Sequence, residues 1–127
     1  MQYKEMTQTV IGCAYRVYNT MGFGFLESVY EKCLLIELAK AGLRAESQKP
    51  IDVYYEKHLV GKFVADIVVE DRIILELKST RELAVTHEVQ LVNYLTATRL
   101  DVGLLLNFGP DKVEVKRKVR NLNDNHN

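Results

Sequence analysis

The 127-residue chain has no tryptophan, only two prolines, two cysteines and no net charge. Seventeen Lys and Arg balance seventeen Asp and Glu, which argues against a protein that coats nucleic acid through bulk electrostatics but leaves room for an enzyme with a local basic groove. Its longest apolar runs span a few residues, far short of the roughly 20 that cross a membrane as a helix, so no membrane partner is expected. The segment MQYKEMTQTV carries Lys4 and Glu5 and lacks a long apolar stretch, unlike a secretory leader, and a cytoplasmic location is the expectation. Cys13 and Cys33 match no zinc spacing; in a reducing compartment they read as buried free thiols. Without a Pro/Gly/Ser-rich linker, a repeat or a low-complexity run, one domain is expected over residues 1–118. The polar, aperiodic residues 119–127, His126 among them, read as a disordered tail.

What is present is an apolar fraction of 47%, enough for one core. Val10, Ala14, Val17 and Met21 recur at helical spacing over residues 4–21, and Gly22 and Gly24 end that helix. A second helix covers FLESVYEKCLLIELAKA and stops at Gly42; it is apolar over most of its circumference, so substantial burial is expected. The segments LRAESQ, IDVYYE, LVGKFVADIVVE and RIILELKS then read as strands punctuated by Pro50 and charged turns. Residues 83–98 return to helix, with Val85, Val89, Val92 and Leu95 on one side. DVGLLLNF has the continuous apolar character of a strand buried on both faces, and KVEVKRKV alternates like an edge strand guarded by lysines. The order α, α, β-meander, α, β, β implies an α/β fold, a mixed sheet with helices packed on it.

FVADIVV and RIILELK form the arms of a hairpin around Glu70–Arg72. A three-residue loop pairs Val69 with Ile73 and sets Asp66 opposite Glu76. Glu76 and Lys78 share one face, and Leu75 and Leu77, with Ala65 and Ile67 across from them, make the other face apolar. Two neighbouring carboxylates repel unless a cation lies between them, and their hard oxygens suit Mg²⁺ or Mn²⁺. Such a metal acidifies water and takes up phosphoryl charge. A lysine one step along the face can stabilise a phosphorane, and the Leu77 carbonyl offers another oxygen. Asp-x9-Glu-x-Lys by itself also describes a solvated strand; here the charges interrupt the apolar run IILEL, where unpaired burial is costly. On the 83–98 helix, His87, Gln90 and Tyr94 lie within roughly 60° of one another, and Glu27, Tyr30 and Glu31 cluster on the second helix. Both clusters are read as turned toward the same face, although each alone also fits a solvated helix surface. His58 lies in a charged turn and reads as exposed.

Gly24-x-x-Glu27-x-x-Tyr30 resembles the signature of the bacterial GxxExxY protein family, as do GFGFLESVYE, FVADIVV, ILELKS, THEVQLVNYL and DVGLLLNFG in that order. The resemblance covers about residues 8–117 and implies a PD-(D/E)XK restriction-endonuclease-like fold, with an αβββαβ core and an extra N-terminal helix. It further implies that Asp66 and Glu76-Leu77-Lys78 stand for the superfamily's catalytic elements, that Glu27 is a helix-borne acid near the metal, and that Gln90 and Tyr94 form a Gln-x-x-x-Tyr element. Ala65 stands where the proline that names the superfamily would be; that proline shapes the strand and supplies no ligand. The expected function is an Mg²⁺- or Mn²⁺-dependent nuclease acting on nucleic acid, DNA foremost, with Asp66, Glu76, Leu77 and Glu27 around the metal and Lys78, Gln90 and Tyr94 completing the catalytic set. A catalytically inactive nucleic-acid-binding or protein-interaction module on the same fold is the alternative, favoured by the neutral charge. An RNA-processing enzyme is a third reading. The oligomeric state stays open, a homodimer included.

Overall fold

The computed structural model describes residues 3–120. Of the expected tail, Val119 instead closes a strand and Arg120 pairs with Asp101, so only residues 121–127, His126 among them, lie outside the described residues. The elements follow in the order α1 (Lys4–Met21), α2 (Glu27–Lys40), β1 (Ala45–Tyr55), β2 (His58–Val69), β3 (Ile73–Lys78), α3 (Val85–Thr98), β4 (Val102–Phe108) and β5 (Val113–Val119). The strands form one five-stranded sheet in sequence order. β1–β2, β2–β3 and β4–β5 pair antiparallel, and β3–β4 pair parallel. That parallel pair requires a crossover, which α3 supplies. Among the described residues, no helix is long and apolar enough to cross a membrane.

The sheet separates two apolar layers. Val10, Cys13, Ala14 and Val17 of α1 and Tyr30, Leu34 and Leu38 of α2 pack on one face against Ile67, Leu75, Leu77, Leu104 and Phe108. Leu91, Tyr94 and Leu95 of α3 pack on the other against Ile51, Ala65, Ile74 and Leu105. Every residue of β4 is buried, as its continuous apolar run predicts, and β5 forms an edge. Gly103 lets α3 approach β4: a Cβ there would come within 2.7 Å of Leu91 Cδ1.

Several local expectations change. Pro50 does not divide two strands: it pairs with Val64 inside the continuous β1, which tolerates it because an edge strand can leave the missing N–H on its unpaired side. The second helix buries only the seam Tyr30, Leu34 and Leu38, and Ile36 is 59% exposed. In α3 the buried side is Leu91, Tyr94 and Leu95, whereas Val85 and Val89 face solvent. Cys13 is buried, and Cys33 only partly so.

Candidate active site

The β2–β3 hairpin turns through Glu70 and Asp71, both with left-handed backbone. Its register runs Val69↔Ile73, Val68↔Ile74 and Ile67↔Leu75 and then stops. At the next step two carboxylates replace the ladder. The Asp66 backbone N–H donates to Glu76 Oε2 at 2.8 Å, and the Leu77 N–H donates to Asp66 Oδ2 at 2.8 Å. β2 is irregular here on its other side as well: the β1 register skips from Ser47↔Ile67 to Lys49↔Ala65, and Gln48, between them, has a φ of 53°. Alternation therefore breaks at Asp66, and Ala65 joins the α3 layer instead of lying across from Leu77 on the α1–α2 side. The result is a notch between β2 and β3 with the two acids at its mouth.

These crossed bonds fix both side chains and leave each carboxylate a second oxygen. N–H and C=O of one residue leave an extended strand on the same side, so the Leu77 carbonyl faces the notch that its N–H faces. Glu76 is 6% exposed. Burial, then the charge of Asp66, pushes its carboxyl up to about 8, against the opposing pull of the Asp66 N–H and of Lys78. Burial also raises Asp66, while the Leu77 N–H and Lys78 counteract it. Lys78 is half-buried two residues beyond Glu76 on the same strand face.

Elements from both sides of the sheet reach the notch. From α3, Tyr94 is 7% exposed; burial and then the charges of Glu76 and Asp66 raise its phenol. From α2, the charge of Glu27 acts on Asp66, and that of Glu31 on Glu76. Gln48 links this side to the centre. Its Nε2 donates to Glu31 Oε1 at 2.8 Å, and its amide favours the ionised form of Asp66. Glu31 itself is raised, by burial first. Gln48 carries no signal in the sequence, because its position depends on a left-handed residue in mid-strand.

Other expected participants have different work. Tyr30 turns away from the notch, fully buried and stacked on Phe108 with ring centroids 4.2 Å apart. Its hydroxyl donates to the Gly22 carbonyl and accepts from the Phe25 N–H, which fastens the α1–α2 turn, where Gly24 has a φ of 112°. The Gly24/Glu27/Tyr30 spacing thus presents Glu27 at the start of α2 from a tethered turn. His87 Nδ1 accepts the Ala84 N–H at the start of α3, and His58 is exposed. Gln90 lines a cleft beside the notch, together with Tyr94. Asn107, unmarked by any pattern in the sequence, is buried and fixes the loop after Lys78: it accepts the Thr80 N–H and donates to the Thr80 carbonyl, each at 2.9 Å.

Among the described residues, no three His, Cys, Asp or Glu side chains come close enough to hold a metal ion together. The donors at the notch are two carboxylates and a carbonyl, all hard oxygens. Such a set fits a cation that keeps much of its hydration, as Mg²⁺ does, and a cation there would offset the burial and the Asp66 charge that raise the Glu76 carboxyl.

Residues 4–118 match the family model of the PD-(D/E)XK nuclease superfamily, whose nucleases generally use divalent metals. No curated protein matches the chain. Among solved structures, the fold is similar to that in the crystal structure of SSO0001, with a TM-score of 0.60 and 20% identity over 79% of this chain and 53% of that one. The chain spans about half the length of that protein.

Proposed function

Because the chain belongs to the PD-(D/E)XK nuclease superfamily, we propose that it is a metal-dependent nuclease cleaving phosphodiester bonds, foremost in DNA, at the notch between β2 and β3. The observation that carries this reading is the crossed pair of hydrogen bonds, Asp66 N–H to Glu76 and Leu77 N–H to Asp66. It holds two acids side by side, next to a lysine, where burial makes an unpaired second charge costly. The Gly24-x-x-Glu27-x-x-Tyr30 spacing supports a place in the GxxExxY branch of bacterial, cytoplasmic proteins, with residues 1–118 as the nuclease unit.

Asp66, Glu76 and the Leu77 carbonyl would hold Mg²⁺ or Mn²⁺. When bound, such a cation acidifies water and takes up charge from a phosphoryl oxygen. Lys78 brings a positive charge to the phosphorus as negative charge accumulates on its oxygens. Glu27 accepts a hydrogen bond from the attacking water, the Leu77 N–H holds Asp66 in its orientation, and Gln48 favours the ionised form of Asp66. Tyr94 offers its hydroxyl to a phosphate oxygen from the α3 side, beside Gln90.

Digestion of circular and linear DNA, with RNA in parallel, tests the reading. Cleavage should require Mg²⁺ or Mn²⁺ and be lost in Asp66→Asn. Failure to cut any of the three with either metal would leave a binding module on this fold.

A further inference from the structure

A cleft of about 880 Å³ opens between α3 and the projecting β1–β2 hairpin. It adjoins the notch through Tyr94, which lines the cleft and senses the charges of Glu76 and Asp66. Its walls include three rings, Tyr54, Phe63 and Tyr94. Phe63 and Tyr94 lie 5.7 Å apart between centroids, tilted by 41°. Tyr54 is 61% exposed and Phe63 46% exposed, so large rings remain in water where covering them would release apolar surface. Gln90 and Asn93 line the cleft one helical turn apart, and Arg99 adds a guanidinium. Among the described residues lining it there is no carboxylate.

We propose that this cleft receives an unpaired nucleotide of the strand being cut, its base stacked on Phe63 and Tyr54 and its edge met by the Gln90 and Asn93 amides. The proposal rests on the nuclease reading and deepens it, since it makes the substrate single-stranded or locally unpaired nucleic acid. Chemistry favours this occupant. A planar heterocycle has apolar faces for rings and a polar edge for amides, and its phosphate suits a cleft whose one formal charge is a cation. A base inside a duplex has both faces stacked and must leave the helix to enter such a site. A second copy of this chain could cover the rings, but would have to satisfy two amides and a guanidinium as well.

Fluorescence anisotropy in EDTA, which separates binding from cleavage, provides the test. The probes are a labelled twelve-nucleotide single strand, a blunt duplex of the same sequence, and a strand with abasic sugars. The wild-type protein should bind the single strand more tightly than the duplex or the abasic strand. Phe63→Leu should weaken single-strand binding by about tenfold and leave abasic binding unchanged. If Phe63→Leu melts early, Tyr54→Ala, at an exposed position, replaces it with the same expectation. Equal or tighter duplex binding, or unchanged single-strand affinity in a folded variant, would overturn the proposal. So would a wild-type dimer in sedimentation that Phe63→Leu or Tyr54→Ala dissociates, which would assign the cleft to a second copy. None of these results bears on whether Asp66→Asn abolishes cleavage, so the nuclease reading stands or falls separately.

Discussion

Lys78 and Gln48 sit near the same two carboxylates and should fail in different ways when replaced. The charge of Lys78 favours the ionised forms of both Asp66 and Glu76, but its proposed work is done on the phosphorane. An interaction made only in the transition state lowers kcat and kcat/KM together when removed. Lys78→Ala should therefore lose about 100-fold in single-turnover cleavage with Mn²⁺ affinity unchanged or slightly increased. Lys78→Arg should rescue poorly, because a planar guanidinium does not replace a compact ammonium. An alanine variant cutting at the wild-type rate would remove Lys78 from the mechanism. Gln48 bonds Glu31 and favours the ionised form of Asp66, so Gln48→Ala should weaken Mn²⁺ binding measured by calorimetry, by about threefold to tenfold for the loss of one hydrogen-bonding amide. Unchanged Mn²⁺ affinity would reduce Gln48 to a surface contact. The proximity of the hairpin acids is legible in the sequence because the short loop at Glu70–Arg72 is local information, although alternation breaks at Asp66. Gln48 was hidden because its reach depends on a left-handed backbone at one residue of a different strand.

At the scale of elements, strong local patterns survived and face assignments did not always. The 3.6-residue period marks α1 and α3, the Gly42 stop and a long apolar stretch mark α2, and the β-branched runs mark the sheet. The apolar side of α3 is not its buried side, because Val85 and Val89 stay exposed, Val89 at the rim of the cleft, whereas Tyr94 keeps its phenol near buried carboxylates. Pro50 does not break β1, because the edge position that tolerates it is a property of the whole sheet and not of the local sequence. The α1–α2 turn depends on one phenol. Tyr30→Phe keeps the stack on Phe108 but removes the donor to Gly22 and the acceptor for Phe25. It should cost about 1–2 kcal/mol in denaturant unfolding and lower cleavage by loosening the presentation of Glu27. Wild-type stability in that variant would show that the turn holds without the phenol.

For the whole molecule, pH and metal should act on stability in opposite directions. Without metal, Glu76 ionises at about 8 in the folded protein, against 4.5 as its ordinary value. Between these limits the folded state keeps a proton that the unfolded chain has released. The stability contributed by this group is therefore complete below about 4.5 and lost as pH rises through 8. Asp66 is raised too and acts with the same sign. Glu37, Asp71 and Glu88 are lowered, chiefly by hydrogen bonds to Arg16, Lys49 and Lys118 respectively. Their contributions are lost as pH falls through the acid range, so they leave the interval above 5.5 to the notch. The metal-free protein should melt about 5 °C or more lower at pH 8.5 than at pH 5.5. In the proposed site Mn²⁺ would bind the ionised carboxylates, so its stabilisation should grow with pH, and melting curves with and without saturating Mn²⁺ should diverge from pH 5.5 to 8.5. In Glu76→Gln the metal-free slope should flatten and the divergence shrink, because the amide at that position does not titrate and Asp66 alone keeps a raised carboxyl. A wild-type melting temperature independent of pH over this range, or an equal gain from Mn²⁺ at both ends, would mean that Glu76 neither holds a proton in the free protein nor exchanges it for a cation.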